Sequence, residues 1–125
     1  EEAFEVTVTE EMLNQFRIIT GDTNPLHQSA EFAKAKGYPD KVVFGMLTAS
    51  FLSTLAGVYL PGENSLIHSV ETKFLKPVLV GDILRISGTV AEKDDRFSLI
   101  LIKVLIQNQN NEKVLKGSMK VMINA

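Results

Sequence analysis

Asp22 and His27 stand five residues apart in the run Gly21, Asp22, Thr23, Asn24, Pro25, Leu26, His27. A carboxylate and an imidazole brought to one place form an acid/base pair, able to take a proton from one atom and deliver it to another. Regular structure does not bring them together. At ~100° per residue a helix sets them about 140° apart, and a strand's period of two puts them on opposite faces. An irregular turn is needed, and the intervening residues are turn formers. Pro25 fixes its own φ and turns Asn24 away from helical geometry, while Asp and Asn side chains bond backbone groups two residues on. The residue types alone leave a second reading open, in which Asp22 and Asn24 only make turn bonds and His27 is an ordinary surface or core histidine.

Whether the pair forms depends on the elements that bracket it. Upstream, Glu5 to Val8 reads as a short first strand, and Thr9 as the N-cap of a helix whose first turn carries Glu10 and Glu11. Met12, Leu13, Phe16 and Ile19 recur at helical spacing as one apolar stripe, and Gly21 stands where a helix-ending glycine belongs. Asp22 is then the first side chain beyond a packed helix. Downstream, Ser29 caps a short helix over Ala30 to Ala35, which Gly37 and Pro39 close. From Phe44 to Val58 the chain is apolar on every side, with Met46, Leu47, Phe51, Leu52 and Leu55 among small residues, the signature of a buried helix ended by Gly57 and the Pro61, Gly62 pair.

The second half reads as strands near Ser65 to Leu75, Ile83 to Glu92, Phe97 to Gln107 and Val114 to Ile123. Lys93 to Arg96 and Gln107 to Glu112 are the turns between the last three, and Pro77 and Gly81 mark the link between the first two. Ile100, Ile102, Val104 and Ile106 share one face and Leu99, Leu101 and Leu105 the other, so this strand is expected to be covered on both sides. The order predicts an α+β fold, a bent antiparallel sheet wrapped around the buried helix, with an edge that a second copy of the chain would pair. His68, alternating with Leu66, Val70 and Phe74, reads as a core or tunnel-wall histidine.

Composition narrows the chemistry. A chain of 125 residues is expected to form a single domain, 1–125, large enough to bury a core. Thirteen Lys and Arg against fifteen Asp and Glu, with no basic block, argue against a nucleic-acid partner. The absence of cysteine removes disulfides, thiolate catalysis and cysteine-ligated metal, and fits a cytoplasmic protein. Two histidines without ligand spacing offer no metal site, and no cofactor-binding loop is visible. The apolar run Val42 to Leu60 is too interrupted to span a membrane. Lys73, Lys76 and Lys120 read as a solvated strand face rather than a phosphate site.

The run Gly21 to His27 resembles the G-D-x-N-P-[LIV]-H motif of the MaoC-like, (R)-specific enoyl-CoA hydratases. The resemblance extends to Ala30, Phe32 and Ala33, to Gly45, Met46, Leu47, Ala49 and Ser50, to Leu60, Pro61 and Gly62, and to Phe74, Pro77, Val78, Val80, Gly81 and Asp82, and so covers most of the chain. It implies the hot-dog fold and a hydro-lyase that interconverts 2-enoyl and (3R)-3-hydroxyacyl thioesters of CoA or acyl carrier protein. It also implies a homodimer or larger homo-oligomer. On this resemblance Asp22 is the principal base and His27 its partner, Asn24 shapes the loop, and Gly45 offers its backbone N–H to the thioester carbonyl. A helix N-terminus suits that role, because its N–H groups are unpaired and its dipole favours negative charge. Ser53 matches a polar helix position near the pair. Phe44 departs from the family, which often has histidine there. Two other functions use the same fold: an acyl thioesterase, and a non-catalytic acyl-thioester-binding subunit.

Overall fold

A computed structural model describes residues 1–124. The elements run β1 (Glu2–Thr7), α1 (Glu10–Thr20), a single 3-10 turn (Pro25–His27), α2 (Ala30–Ala35), α3 (Gly45–Thr54) continued by a π turn (Leu55–Tyr59), then β2 (Ser65–Phe74), β3 (Ile83–Asp94), β4 (Leu99–Gln107) and β5 (Lys113–Ile123). The five strands form one sheet in the order β1-β3-β4-β5-β2, every neighbour antiparallel. Its inner face carries Leu84, Ile86, Ile102, Ile106, Leu115, Met119 and Val121, all buried, and Leu52, Leu55 and Ala56 of the helix pack into the same cluster. This is the bent sheet around a central helix expected from the sequence, the hot-dog fold.

The caps form as the residue types require. Thr9 Oγ1 accepts the Met12 amide at 3.2 Å, and Gly21 ends α1 at φ 73° with its own amide on Arg17 O at 2.8 Å. Left-handed backbone of that kind suits glycine, which has no Cβ to clash. Thr9→Ala removes the cap acceptor and is expected to cost about 1 kcal/mol of stability, to be measured by chemical denaturation.

Several details differ from the sequence-based expectation. β1 lies at Glu2–Thr7 rather than Glu5 to Val8, because Phe4 and Val6 pair with Ile86 and Leu84. Of the α1 stripe, Leu13 is buried and Met12 and Phe16 partly so, but Ile19 is 79% exposed on the last turn, beyond the sheet it would pack on. The central helix is not buried all round. Met46 is 66% exposed, and Ser50 and Ser53 continue that stripe at helical spacing along a side the sheet does not reach. On β4, Ile100, Ile102, Val104 and Ile106 are buried, but Leu99, Leu101 and Leu105 are only partly covered, since among the described residues no element packs on the outer face. The β3–β4 turn falls two residues later than Lys93 to Arg96. Asp94 and Leu99 still pair, the Asp94 carboxylate accepts the Arg96 amide at 3.1 Å, and Ser98 takes φ 54°. In β2 the register shifts between Ile67 and Ser69, leaving His68 as the extra residue of a bulge. The bulge places Leu66 opposite Met122 but Val70 and Phe74 opposite Met119 and Leu115. Leu66 therefore faces the opposite side from the other two, and His68 is an exposed bulge residue rather than a core or tunnel-wall one.

Candidate active site

The Gly21 to His27 loop is built from its own turn bonds. The Asp22 amide donates to Thr20 Oγ1 at 3.2 Å, the Asn24 amide to Asp22 Oδ1 at 3.0 Å, and the Leu26 amide to Asn24 Oδ1 at 3.0 Å. Pro25 then opens a single 3-10 turn, in which the His27 amide donates to Asn24 O at 3.1 Å. Turn chemistry and a site are not alternatives here. The turn uses Asp22 Oδ1 and leaves Oδ2 without a partner among the described residues. Asp22 is exposed and His27 half-buried.

The imidazole is clamped from the neighbouring strand-like segment. The Val42 amide donates to Leu26 O at 3.0 Å, and His27 Nδ1 lies 2.6 Å from Val42 O. A carbonyl oxygen only accepts, so Nδ1 carries a proton, and in the neutral imidazole the lone pair is on Nε2. The Val43 amide bonds Val78 O at 2.8 Å and Val42 bridges to Leu79, tying this segment to the chain that leads into β3. The ring of Phe44 stacks on that of His27, with centroids 4.2 Å apart and planes 29° off parallel, and Phe16 packs behind Phe44 at 4.9 Å.

Gly45 begins α3 one residue later. The amides of Leu47 and Thr48 both donate to Phe44 O, at 3.0 and 3.2 Å, so those of Gly45 and Met46 precede the first intrahelical bond. A Cβ on Gly45 would stand 3.3 Å from the ring of Phe74, which leans over this helix end. Absence of a side chain keeps the amide approachable beneath that ring.

Asp22, His27, Phe44 and Gly45 line one open cavity of about 390 Å³ together with Phe16, Met46 and Phe74. A second chamber of about 250 Å³ shares His27, Gly45 and Phe74 with the first and runs to buried Val43, Thr48, Val78 and Val114. Thr48 Oγ1 is buried there with no hydrogen-bond partner among the described residues. A larger hollow of about 580 Å³, at the β3–β4 hairpin, is lined by Asp94, Arg96 and Lys120 and holds none of these groups; it is a charged surface concavity.

The structure thus brings Asp22, His27 and Gly45 together, with Asn24 shaping their loop. It does not bring Ser53 to them. Ser53 lies on the exposed stripe of α3 and lines neither chamber, because eight residues beyond Gly45 it stands about 12 Å further along the helix axis. Lys76, at the rim of the second chamber, is held by Glu112 at 2.6 Å. That contact and the one from Asn108 hold the Glu112 carboxyl below the usual carboxylate range. Among the described residues no cluster of His, Cys, Asp and Glu could hold a metal ion, and no helix is long and apolar enough to cross a membrane. Sequence reasoning pointed to Phe74 without giving it a place in the site, and did not reach Thr48 or the Val42 carbonyl. A threonine inside an apolar helix was a visible signal, whereas a backbone carbonyl carries none.

The hot-dog fold here gathers a carboxylate, an imidazole and a helix N-terminus around one cavity. Residues 1–112 match the family described as MaoC like domain, and the chain belongs to that family. It is 38% identical over 77 residues to a 3-hydroxybutyryl-CoA dehydratase of Methylorubrum extorquens, covering 62% of this chain and 49% of that one. It is 32% identical over 91 residues to an (R)-specific enoyl-CoA hydratase of Rhodospirillum rubrum, covering 70% and 63%. The matches thus span about half of the first relative and less than two-thirds of the second. Among solved structures, an (R)-hydratase from A. caviae involved in PHA biosynthesis superposes with a TM-score of 0.93 at 26% identity, covering 98% of this chain and 92% of that one.

Proposed function

We propose that this chain is an (R)-specific hydratase/dehydratase that interconverts 2-enoyl and (3R)-3-hydroxyacyl thioesters, carried on CoA or acyl carrier protein. The observation that carries the reading is the single cavity bounded by Asp22, His27 and the first amide of α3. Hydration requires a water that loses a proton as its oxygen attacks C3, a proton delivered to C2, and stabilisation of the charge that gathers on the thioester oxygen. Asp22 Oδ2 is free of turn bonds and acts as the principal base. His27 Nε2 holds the same water as a hydrogen-bond acceptor, since Nδ1–H is committed to Val42 O. The proton taken by Asp22 returns to C2, so the step balances without any further reagent. The Gly45 amide, at the positive end of α3, faces the thioester oxygen as its charge develops. The test is to follow loss of the conjugated enoyl absorbance together with free thiol. Absorbance loss without thiol supports the hydratase; thiol release assigns a thioesterase instead, and binding without conversion assigns a non-catalytic subunit.

The assembly that goes with this reading is a homodimer joined through β2. Among the described residues that strand pairs only with β5, and its Val70 and Phe74 are exposed, as are Met46 and Val58 along the uncovered side of the central helix. An unpaired edge beside an apolar helix face is what a second copy would cover. Light scattering is expected to give a multiple of the single-chain mass, and a monomer at micromolar concentration would contradict it.

A further inference from the structure

We infer that Phe44 is a positioning residue for the proton-transfer chemistry, holding the plane of the His27 ring and tying it to the helix end that offers the Gly45 amide. The inference rests on the reading of His27 and Gly45 above. A hydrogen bond fixes one atom of an imidazole and leaves the ring free to rock about that contact. Here the bond from Nδ1–H to Val42 O supplies the point, and the face of Phe44 at 4.2 Å supplies the plane. Together they set the direction of the Nε2 lone pair. Phe44 is itself immobilised, 2% exposed and backed by Phe16 at 4.9 Å.

The same residue begins α3. Its carbonyl accepts the Leu47 and Thr48 amides, so its backbone fixes where the free amides of Gly45 and Met46 point, while its ring fixes His27. A shift in Phe44 therefore moves the acid/base partner and the oxyanion donor together. A phenyl ring also brings no strong hydrogen-bonding atom near the imidazole. Histidine at this position would add a second donor and acceptor able to compete for Nε2 or for the water. Phe44 leaves Nε2 uncontested.

The test compares Phe44→Leu, which keeps apolar bulk but removes the ring face, with Phe44→Tyr, which keeps the face. Hydration of a short 2-enoyl-CoA is expected to show kcat lowered roughly 10- to 100-fold in Phe44→Leu, with KM changed by no more than about twofold and kcat restored by Phe44→Tyr to within about threefold of the unsubstituted protein. In the NMR spectrum of the ligand-free proteins the His27 ring protons, shielded by the phenyl face, are expected to move downfield in Phe44→Leu and to stay near their original positions in Phe44→Tyr. Should Phe44→Leu fail to fold, Phe16→Leu, which loosens Phe44 from behind, is expected to shift the same protons in the same direction by less. Unmoved His27 resonances in a folded leucine variant overturn the inference, as does a kcat equal to that of the unsubstituted protein. If the unsubstituted protein turns over no enoyl thioester, the proposed function fails, and the ring resonances still decide whether Phe44 holds His27.

Discussion

Asp22→Asn is expected to lower kcat for hydration of a 2-enoyl thioester by about 10³-fold, within the 10²- to 10⁴-fold range of a positioned acid/base group, with KM little changed. The amide keeps the size of the carboxylate, and its oxygen can still accept the Asn24 amide that shapes the turn. The loop is therefore retained, while the group left for the water is no longer a base. His27→Gln removes the Nε2 acceptor in a similar way, although its side-chain amide can still donate to Val42 O. Because the two groups hold one water, the double variant is expected to be scarcely worse than either single one, a coupling that independent sites would not give. Asp22→Asn leaves the buried core untouched, so its unfolding transition is expected to stay close to that of the unsubstituted protein, whereas His27→Gln also gives up the stack on buried Phe44. Activity near the original in either variant would contradict the assignment.

Gly117→Ala is expected to be the most damaging single methyl in the chain. Gly117 pairs with Thr72 on β2 and Val104 on β4, and a Cβ there would stand 1.9 Å from the carbonyl oxygen of Glu71 and 2.9 Å from its carbonyl carbon. Both obstacles are backbone, so no rotamer change relieves them, and β2 must move away from β5. The expected cost is about 3 kcal/mol, the upper end of the overpacking range, which lowers Tm by roughly 10 °C for a chain of this size. Ser118→Ala, one residue on, serves as the control and is expected to change Tm by no more than about 2 °C. A Gly117→Ala Tm equal to that of the control would show that the strands have room to yield. The two perturbations also separate by readout: Asp22→Asn removes turnover from a folded chain, whereas Gly117→Ala removes the sheet that carries the helix and its first amide.

Much of the site was legible in the sequence because its geometry is local. The helix stop at Gly21, the Asn24–Pro25 turn and the Ser29 cap are set by residues within a few positions of one another, and each forms as its side chain dictates. What was not legible depends on distant pairing. The clamp on His27 uses the backbone carbonyl of Val42, 15 residues away, and no side-chain type announces it. The bulge at His68 is decided by how β2 meets β5, and one extra residue reverses which side chains face the helix. The exposed stripe of Met46, Ser50 and Ser53 was read as buried because an apolar sequence specifies that a helix will be covered, not that its own chain will cover it. Ser53, placed near the pair by resemblance alone, lies further along that stripe than the cavity reaches.

Stereochemical analysis of the product tests the central claim most directly. A trans-2-enoyl-CoA is incubated with the protein in buffer and the product separated on a chiral phase. The proposed function predicts a (3R)-3-hydroxyacyl-CoA as the sole new species, with no free thiol. A (3S) product, or free CoA in place of a hydroxyacyl thioester, would contradict it.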